Sequence, residues 1–307
     1  MAARPDSMSL TSIIITTHNR PKLLRRAVES AFAAGTNLEV IVVDDASTDE
    51  TAAVCRDLSG IKYVRVERNQ RVAGARNLGV LASSGQYITF LDDDDVRLPG
   101  SLDKQIKLLQ TNSEAGLIYG QAILVDQSGE PTNQSYPRIC HQGDVLWELL
   151  GQNFIPCGTA VFRRSCLDRV GLLEQSLAGI DDWDLWVRIA ELYPIIGLAE
   201  PVIRWRRSTP SSQQGTSAAD QIVLQSVQQF QQSWKTLPRV LSASHKMKRQ
   251  AWRRFSANMS AHLSFEVLRA LRQRRLAQAT KNLFSLLRLN PAAMLRLVRI
   301  NNAHSSL

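Results

Sequence analysis

The amino-acid sequence predicts an α/β protein with a mainly parallel sheet flanked by helices, followed by a basic, all-helical C-terminal region. Three observations support this prediction. Apolar strands alternate with amphipathic helices from residue 10 onwards. The strands are continuous apolar runs, which are typical of parallel sheets covered by helices on both faces. The charge balance changes sign near residue 220, where the helical pattern becomes nearly continuous.

The first predicted unit is a strand followed by a helix. Residues 10–17, LTSIIITT, form a β-branched run that predicts a buried strand. Pro21 favours the start of a helix, because proline is well tolerated at the first helical position. Apolar residues recur at helical spacing over 23–32, and Gly35 is expected to cap the helix C-terminus.

The second unit repeats this order. Val40 to Val43 predict a buried strand that ends at Asp44 and Asp45. Ser47 and Glu50 have the spacing of a capping box, which predicts a helix starting there.

Two more strands are predicted over 63–66 and 87–91, separated by a helix over 73–81. The last of these strands runs into four consecutive aspartates, Asp92 to Asp95. Because parallel sheets bind ligands beyond the carboxyl ends of their strands, the polar residues at those ends are expected to converge in one cleft. Residues 120–179 have a looser pattern, after which Asp181 to Leu192 predict a helix with acids in its first turn.

Composition excludes several classes of protein. The 307 residues are 44% hydrophobic and 21% charged, which is typical of a globular chain and excludes collagen-like, disordered and disulfide-stapled proteins. The longest apolar run, 116–125, is half of the roughly 20 residues that a membrane-spanning helix needs. The N-terminus has no signal-peptide pattern, and the four cysteines show no metal or disulfide spacing, so we expect a cytoplasmic protein with reduced thiols.

The charge is divided unevenly along the chain. Residues 1–220 carry 22 basic and 27 acidic residues, whereas residues 221–307 carry 15 basic residues and one acid. This asymmetry predicts a separable basic region that is attracted to anionic partners. We therefore expect an N-terminal tail over 1–9, a main domain over 10–210, a linker over 211–220 and a basic helical region over 221–307.

Four adjacent aspartates after a buried strand require a nearby cation, because their mutual repulsion and lost hydration are costly. Mg²⁺ or Mn²⁺ is the natural partner, since such hard cations bind one or two carboxylates and complete their coordination with substrate phosphates. The alternative is a solvated turn that caps a helix starting near Pro99.

Five motifs in unbroken order resemble glycosyltransferase family 2, whose members are inverting enzymes with the Rossmann-like GT-A fold that use nucleotide sugars. The resemblance covers residues 10–207 and does not extend to the basic region. The motifs are SIIITTHNRP at 12–21, VVDDASTD at 42–49, GARNLG at 74–79, FLDDDDVRLP at 90–99 and DDWDLW at 181–186.

The resemblance implies a set of residues that bind the nucleotide. Thr17 and His18 match the positions that contact the base, with the His18 ring stacked on uracil. Asp45 matches the acid that accepts a hydrogen bond from the base, and Asp44 stands beside it. These residues could instead be a plain loop histidine and acids that offset a helix N-terminus.

Further matches concern the sugar diphosphate and the metal. Arg76 and Asn77 match a segment lining the nucleotide site, although they could simply open a helix. Asp92, Asp93 and Asp94 match the family's Asp-x-Asp region, in which Asp92 or Asp93 would contact the ribose and Asp94 matches the metal ligand, so Mn²⁺ or Mg²⁺ is the expected cofactor.

Inversion at the anomeric carbon needs a base that deprotonates the acceptor hydroxyl. Asp182 matches that base, with Asp181 the second candidate, and Asp184 is expected to brace the loop. Their alternative role is to cap the helix. Trp183 and Trp186 could shape the acceptor pocket or belong to the core, and the core is favoured for Trp186.

Two departures from the family pattern affect the expected reaction. Ser208 stands near the position where relatives often have a histidine, so Arg206 or Arg207 is expected to bind the diphosphate. The Gln-x-x-Arg-Trp pattern of processive synthases is absent around Arg204. Transfer of one sugar per encounter is therefore favoured.

The implied function is transfer of a sugar from a nucleotide-diphosphate donor, expected to be a UDP-sugar, to a glycan or lipid-linked acceptor in cell-surface polysaccharide assembly. Residues 246–299 could dock on an anionic membrane at the inner face of the plasma membrane or simply pack on the main domain. Nucleic-acid binding is disfavoured because no recognised module is present. A catalytically inactive protein of this fold that binds membrane or polyanion is the alternative. A nucleotidyltransferase would need a glycine-rich loop where residues 18–21 stand.

Overall fold

The computed structural model describes residues 10–126, 128–206 and 219–290. These residues form two compact units. The first unit takes in the described residues up to 145 together with 154–206, and the second takes in 146–153 with 219–290.

The first unit is built on one sheet, and its described residues form nine strands. The strands are β1 Thr11–Thr17, β2 Leu38–Asp45, β3 Ile61–Val66, β4 Tyr87–Asp92, β5 Val96–Arg97, β6 Leu117–Val125, β7 Pro131–Tyr136, β8 Val161–Arg163 and β9 Ile195–Arg206. Its helices are α1 Pro21–Ala33, α2 Thr51–Asp57, α3 Arg71–Ala82, α4 Ser101–Thr111, α6 Arg164–Val170 and α7 Asp181–Leu192, while α5 Leu146–Leu149 belongs to the second unit.

The strand order is β3-β2-β1-β4-β8-β6-β9-β5, with β7 paired to β6. The first four strands are parallel, as are β6 and β9. The short strand β8 joins these two parallel groups by antiparallel pairing with β4 and β6. The predicted α/β fold with a mainly parallel sheet is therefore confirmed, although the sequence did not predict the antiparallel strands.

The parallel strands are buried as their apolar runs predict. Ile13, Ile14 and Ile15 of β1 are fully buried, and Val40 to Val43 of β2 are at most 1% exposed. Helix α3 packs directly on this sheet at Gly79, where an added Cβ would lie 2.2 Å from the Cγ2 atom of Ile14. The absence of a side chain at this position therefore sets how closely α3 approaches β1.

Two local predictions are wrong. Helix α2 begins at Thr51, and Ser47 does not cap it. The Ser47 hydroxyl instead accepts the backbone N–H of Asn19 at 2.9 Å, so this side chain is committed to joining two loops. Gly35 directly follows the C-cap residue Ala34, as expected, but it lacks the positive φ of a glycine that caps a helix. A side chain at Gly35 would meet the carboxylate of Asp103 at 2.7 Å, so close packing explains this glycine.

The second unit is helical over its described residues. Its longer helices are α8 Ala219–Gln232, α9 Pro238–Ser242, α10 His245–Arg272 and α11 Leu276–Leu289. An aromatic cluster forms its core, with the rings of Phe230 and Phe255 centred 4.8 Å apart and Trp234 fully buried. No helix among the described residues is long and apolar enough to cross a membrane. Residues 291–307 of the predicted basic helical region lie outside the described residues.

Candidate active site

The loops that follow β1, β2 and β4 meet at the carboxyl edge of the sheet, as predicted. The Nδ1 atom of His18 lies 2.7 Å from the backbone oxygen of Asp45. The hydroxyl of Thr17 donates to the Oδ2 atom of Asp93 at 2.7 Å. The three polar segments that the sequence places at strand ends are therefore in direct contact.

The ring of His18 is held by both of its nitrogens. A backbone oxygen can only accept, so Nδ1 carries the proton that is donated to Asp45. The side-chain amide of Asn19 lies 3.0 Å from Nε2 and donates to it. Both bonds are made at the ring edge, so they fix the ring's orientation without covering its faces.

The two aspartates at the end of β2 have different surroundings. Asp44 is fully buried and accepts hydrogen bonds from the Tyr63 hydroxyl at 2.7 Å, Arg65 at 2.9 Å and the Ser47 N–H at 2.8 Å. These hydrogen bonds of Asp44 therefore hold the loop that follows β2 in place. Asp45 is 1% exposed, and its Oδ1 atom accepts the backbone N–H of Gln70 at 2.6 Å.

Asp92 to Asp95, hereafter the aspartate run, are balanced by cations from distant parts of the chain. The Nη1 atom of Arg20 lies 2.7 Å from the Oδ1 atom of Asp93 and 3.3 Å from the Oδ2 atom of Asp94. The sequence predicts a cation beside these carboxylates, and the Arg20 guanidinium is a cation at that position. Arg20 is a site residue that sequence reasoning missed, because 73 residues separate it from Asp93.

Burial changes the protonation of the aspartate run. It raises the pKa of Asp93 to about 7, although the positive charge of Arg20 opposes this rise. Asp95 is 2% exposed, and burial together with nearby Asp92 and Asp94 holds its pKa well above the usual range. Burial and the mutual repulsion of the carboxylates thus oppose full ionisation of the run.

Arg76 joins the aspartate run to the start of α7. Its Nη2 atom lies 2.7 Å from the Oδ1 atom of Asp92, and its Nη1 atom lies 2.8 Å from the Oδ2 atom of Asp181. The guanidinium stands 5.5 Å from the ring centre of Phe90, and the residue is only 5% exposed. One buried cation is thus shared between two acidic segments that are far apart in sequence.

Asn77 makes a reciprocal pair of hydrogen bonds with the backbone of Leu173. Its amide donates to the Leu173 oxygen at 2.9 Å and accepts the Leu173 N–H at 3.0 Å. Neighbouring positions on α3 therefore hold both the segment before α7 and the first residue of α7.

The first turn of α7 carries Asp181, Asp182 and Asp184, hereafter the helix aspartates. Asp182 is partly exposed, and its Oδ1 atom accepts the N–H of Trp183 at 2.6 Å. Desolvation and the neighbouring charge of Asp181 raise the pKa of Asp182 to about 7. A carboxylate with this pKa is suited to accept a proton near neutral pH.

The other residues of this helix support it. Asp184 is 1% exposed, and its carboxylate forms an ion pair with the Arg188 guanidinium at 2.7 Å. Arg188 also donates a hydrogen bond to the backbone oxygen of Leu172 at 3.0 Å. Trp186 is fully buried and packs edge-on against Phe162. Trp183 is also buried, at 4% exposure.

Arg206 ends β9 beside the aspartate run. Its backbone N–H donates to the Oδ1 atom of Asp95 at 2.9 Å. Its Nη2 atom lies 2.9 Å from where a Cβ on Gly129 would stand, so the guanidinium reaches the turn between β6 and β7. Arg207 and Ser208 lie outside the described residues.

The residues of the aspartate run fit a divalent metal. Within the part of the chain that the structure describes, no three His, Cys, Asp or Glu side chains form a complete metal site. Mg²⁺ and Mn²⁺ often need only one or two protein carboxylates when substrate phosphates supply the other oxygens. The side chain of Asp94 is 14% exposed, and the position between Asp93 and Asp94 already attracts a cation in the form of Arg20.

A mostly parallel sheet with these acidic segments at its carboxyl edge has the architecture of GT-A-fold glycosyltransferases. Staphylococcus aureus TarS, solved in complex with UDP-GlcNAc, superposes with a TM-score of 0.56 at 16% identity, covering 93% of this chain and 91% of that one. The mannosyltransferase PcManGT of Pyrobaculum calidifontis, solved with GDP-Man and Mn²⁺, gives 0.55 at 17% identity, covering 95% and 89%.

The chain belongs to glycosyltransferase family 2, because the model of that family matches residues 12–171. An uncharacterized glycosyltransferase of Rickettsia prowazekii is 29% identical over 195 residues, and the match covers about 60% of each protein. The UDP-Glc:alpha-D-GlcNAc-diphosphoundecaprenol beta-1,3-glucosyltransferase WfaP of Escherichia coli is 30% identical over 59% of this chain and 70% of its own length. The family membership that the sequence motifs predict is therefore confirmed, and the chain spans about 60% of the length of the Rickettsia prowazekii relative.

Proposed function

We propose that this glycosyltransferase moves a single sugar, with inversion, from a UDP-sugar to a hydroxyl of a glycan or lipid-linked acceptor in cell-surface polysaccharide assembly. The observation that carries this proposal is the link from the aspartate run through Arg76 to the helix aspartates. It brings a cation-binding segment and a segment with a proton-accepting carboxylate to the same edge of the sheet. The substrates named for WfaP and TarS support the choice of a UDP-sugar and a lipid-linked acceptor.

The donor's base is assigned to the β1 and β2 loops. His18 is held by its edge, so a planar base can stack on its face. Asp45 accepts from Gln70 through one oxygen, and a carboxylate has acceptor capacity for several donors, which suits recognition of a base N–H. Thr17 and Asp44 support this surface through Asp93 and Arg65, respectively.

The donor's diphosphate is assigned to the aspartate run. Asp94 would hold Mn²⁺ or Mg²⁺, with Asp92 and Asp93 nearby, and Arg206 would add a positive charge. When bound, the divalent metal would neutralise the negative charge that develops on the departing diphosphate.

The acceptor hydroxyl is assigned to Asp182. As the hydroxyl oxygen bonds to the anomeric carbon, the bond from that carbon to the diphosphate oxygen breaks and Asp182 takes the hydroxyl proton. The nucleoside diphosphate leaves with the bonding electron pair. Asp181 is fixed by Arg76, which leaves the more exposed Asp182 as the better placed base.

Calorimetry would test the donor assignment. UDP, GDP, dTDP and CDP would each be titrated, with and without Mn²⁺, into the wild-type chain and into Asp94→Asn. We expect Mn²⁺-dependent binding of UDP that is lost in Asp94→Asn. Asp57→Asn removes an exposed carboxylate at the end of α2 and should bind as the wild type does. Binding of no nucleotide, or equal binding by wild type and Asp94→Asn, would contradict the proposal.

We also propose that residues 221–307 form a separate basic region, and that residues 246–299 within it dock the enzyme on the inner face of an anionic membrane. The turn between α10 and α11 supports this assignment. Leu271 and Leu276 are 48% and 66% exposed, and three arginines beside them are also exposed. Apolar side chains flanked by basic ones are suited to the boundary between lipid headgroups and acyl chains. The arginines are Arg272, Arg274 and Arg275.

Flotation with phosphatidylglycerol-containing vesicles would test this docking. We expect binding by the full chain to fall at least fivefold when the three arginines of the turn are changed to glutamine. The matched control changes Lys246, Arg249 and Arg253, which are exposed near the start of α10, and alters net charge equally. Equal losses in both variants would indicate a general charge effect and contradict docking through the turn.

A further inference from the structure

Arg20 occupies a fixed position between two carboxylates of the aspartate run. Its Nη1 atom is 2.7 Å from Asp93 and 3.3 Å from Asp94, and its side chain is only 11% exposed. The surrounding carboxylates raise the pKa of Arg20, so its positive charge is permanent. The chain therefore carries its own cation at this position.

The backbone on either side of Arg20 is anchored. Asn19 has a positive φ of 56° and binds the next loop, because its N–H donates to Ser47 and its side-chain oxygen accepts the Thr48 N–H at 2.8 Å. Helix α1 begins at Pro21, directly after Arg20. Movement of Arg20 is therefore confined to its side chain.

A metal ion and a guanidinium compete for the same oxygen atoms. A divalent cation bound through the Oδ2 atom of Asp94 would lie beside the Arg20 guanidinium, and two cations on one carboxylate repel each other. Arg76 is directed instead to Asp92 and Asp181. The contacts of Arg20 with Asp93 and Asp94 therefore oppose a metal ion at this position.

We propose that Arg20 is a built-in counter-ion that excludes divalent metal from Asp94 until a nucleoside diphosphate draws the guanidinium away. Arg20 is a positioning residue in this scheme, and the inference rests on the proposed metal site at Asp94. It predicts weak binding of metal alone and stronger binding of metal in the presence of UDP. By thermodynamic linkage, metal must strengthen UDP binding by the same factor.

The direct test is titration of Mn²⁺ into the full chain without nucleotide, with free Mn²⁺ measured by electron paramagnetic resonance. We expect Arg20→Gln to bind Mn²⁺ at least tenfold more tightly than wild type, and the enhancement of Mn²⁺ binding by UDP to shrink. Arg20→Lys keeps a cation and should stay within threefold of wild type. Arg25→Gln, which removes an exposed arginine of α1, should stay within twofold.

A second measurement on the wild type covers the case in which Arg20→Gln fails to fold. The Arg20 Nε–H resonance, assigned by nuclear magnetic resonance with Arg20→Lys, should shift when Mg²⁺ and UDP are added together and not when Mg²⁺ is added alone at the same concentration. An unshifted resonance under saturating Mg²⁺ and UDP would overturn the inference.

Two outcomes separate this inference from the proposed function. In the first, Mn²⁺ binds at Asp94 while Arg20→Gln binds Mn²⁺ as tightly as the wild type or more weakly. In that case Arg20 orients the carboxylates and does not compete with the metal ion. The proposed metal site would still be supported. If neither wild type nor Arg20→Gln binds Mn²⁺ in a way that Asp94→Asn abolishes, the metal site and the inference are both overturned.

Discussion

The aspartate run and the helix aspartates use the same side chain in two different electrostatic settings. In the run, Asp93 is 3% exposed and is held by Thr17 and Arg20. In the helix, Asp182 is partly exposed, and its carboxylate accepts a hydrogen bond from the backbone N–H of Trp183, the next residue. Asp93 thus lies against an arginine, whereas the carboxylate of Asp182 stays partly exposed.

The pKa is raised to about 7 in both settings, and burial is the largest cause in each. At Asp93, the charge of Asp94 adds to the rise and Arg20 opposes it. At Asp182, Asp181 adds to the rise and Arg76 opposes it. A raised pKa therefore does not by itself identify a catalytic base. The partners of each carboxylate distinguish the two roles.

The sharpest test of the comparison removes the charge of one helix aspartate at a time. We expect Asp182→Asn to lower kcat by about 10³-fold, the range of general-base catalysis, with UDP affinity within twofold of wild type. Asp181→Asn should lower kcat less than Asp182→Asn does. It should lower the free energy of unfolding more, because it removes one of the two carboxylates that pair with buried Arg76. Steady-state kinetics and calorimetry would check both, and the reverse order of activities would make Asp181 the base.

Removal of the shared cation should affect both groups together. Arg76→Gln leaves Asp92 and Asp181 without their common partner, and we expect a loss of about 3 kcal/mol in the free energy of unfolding, as for other broken buried pairs. Chemical denaturation would measure it. The double variant Arg76→Gln/Asp181→Asn should regain part of this loss, whereas strictly additive losses would show that the pair is not coupled.

The pH dependence of the rate should follow the helix aspartates. Because a base must be deprotonated, kcat/KM should fall about tenfold per pH unit below a pKa near 7. UDP affinity measured over the same range separates this effect from titration of the aspartate run. A rate that stays flat down to pH 5 would be inconsistent with Asp182 as the base.

The role of Asn77 can be separated from nucleotide contact. Asn77→Ala removes two hydrogen bonds to Leu173, and we expect a loss of about 1–3 kcal/mol in the free energy of unfolding with UDP affinity within threefold. Direct contact with the nucleotide would instead weaken UDP binding with little change in stability. Denaturation and calorimetry on the same sample distinguish the two.

The smallest expected effect is on stability as a function of pH. The pKa of Asp93 and Asp182 is higher in the folded chain than the usual value of 3.8, so the folded chain binds more protons than the unfolded chain between these values. Their contribution to stability is complete below about pH 4 and is lost as pH rises through about 7. We expect the melting temperature to be about 3 °C higher at pH 6 than at pH 8. Asp93→Asn should narrow this difference, and an unchanged difference would contradict the assignment to Asp93.

The sequence predicts the parts of the molecule that depend on local pattern. The apolar runs predict β1, β2 and β4, and the acidic residues of the first helical turn predict the start of α7 at Asp181. The antiparallel strand β8 escapes prediction because three residues, Val161–Arg163, carry too little pattern to reveal partners far along the chain. Likewise, Ser47 has the spacing of a cap but is used by Asn19, from a different loop.

The chemistry of the site is only partly visible from sequence for the same reason. Motif order brings Asp45, Asp94 and Asp182 forward as candidates, and the structure places their segments at one edge of the sheet. The pattern does not show that Asp44 is fully buried while serving Tyr63 and Arg65. Such roles depend on contacts between residues that are distant in sequence, which periodicity and spacing do not encode.

Because Gly79 has no side chain, helix α3 packs at a fixed, short distance from strand β1. The same helix carries Arg76 and Asn77, and an added methyl group at position 79 would lie only 2.2 Å from the Cγ2 atom of Ile14. Even alanine at position 79 would therefore push the helix outward. Arg76 would then reach Asp92 and Asp181 from a different position, so the substitution would alter both ion pairs from a residue that belongs to neither.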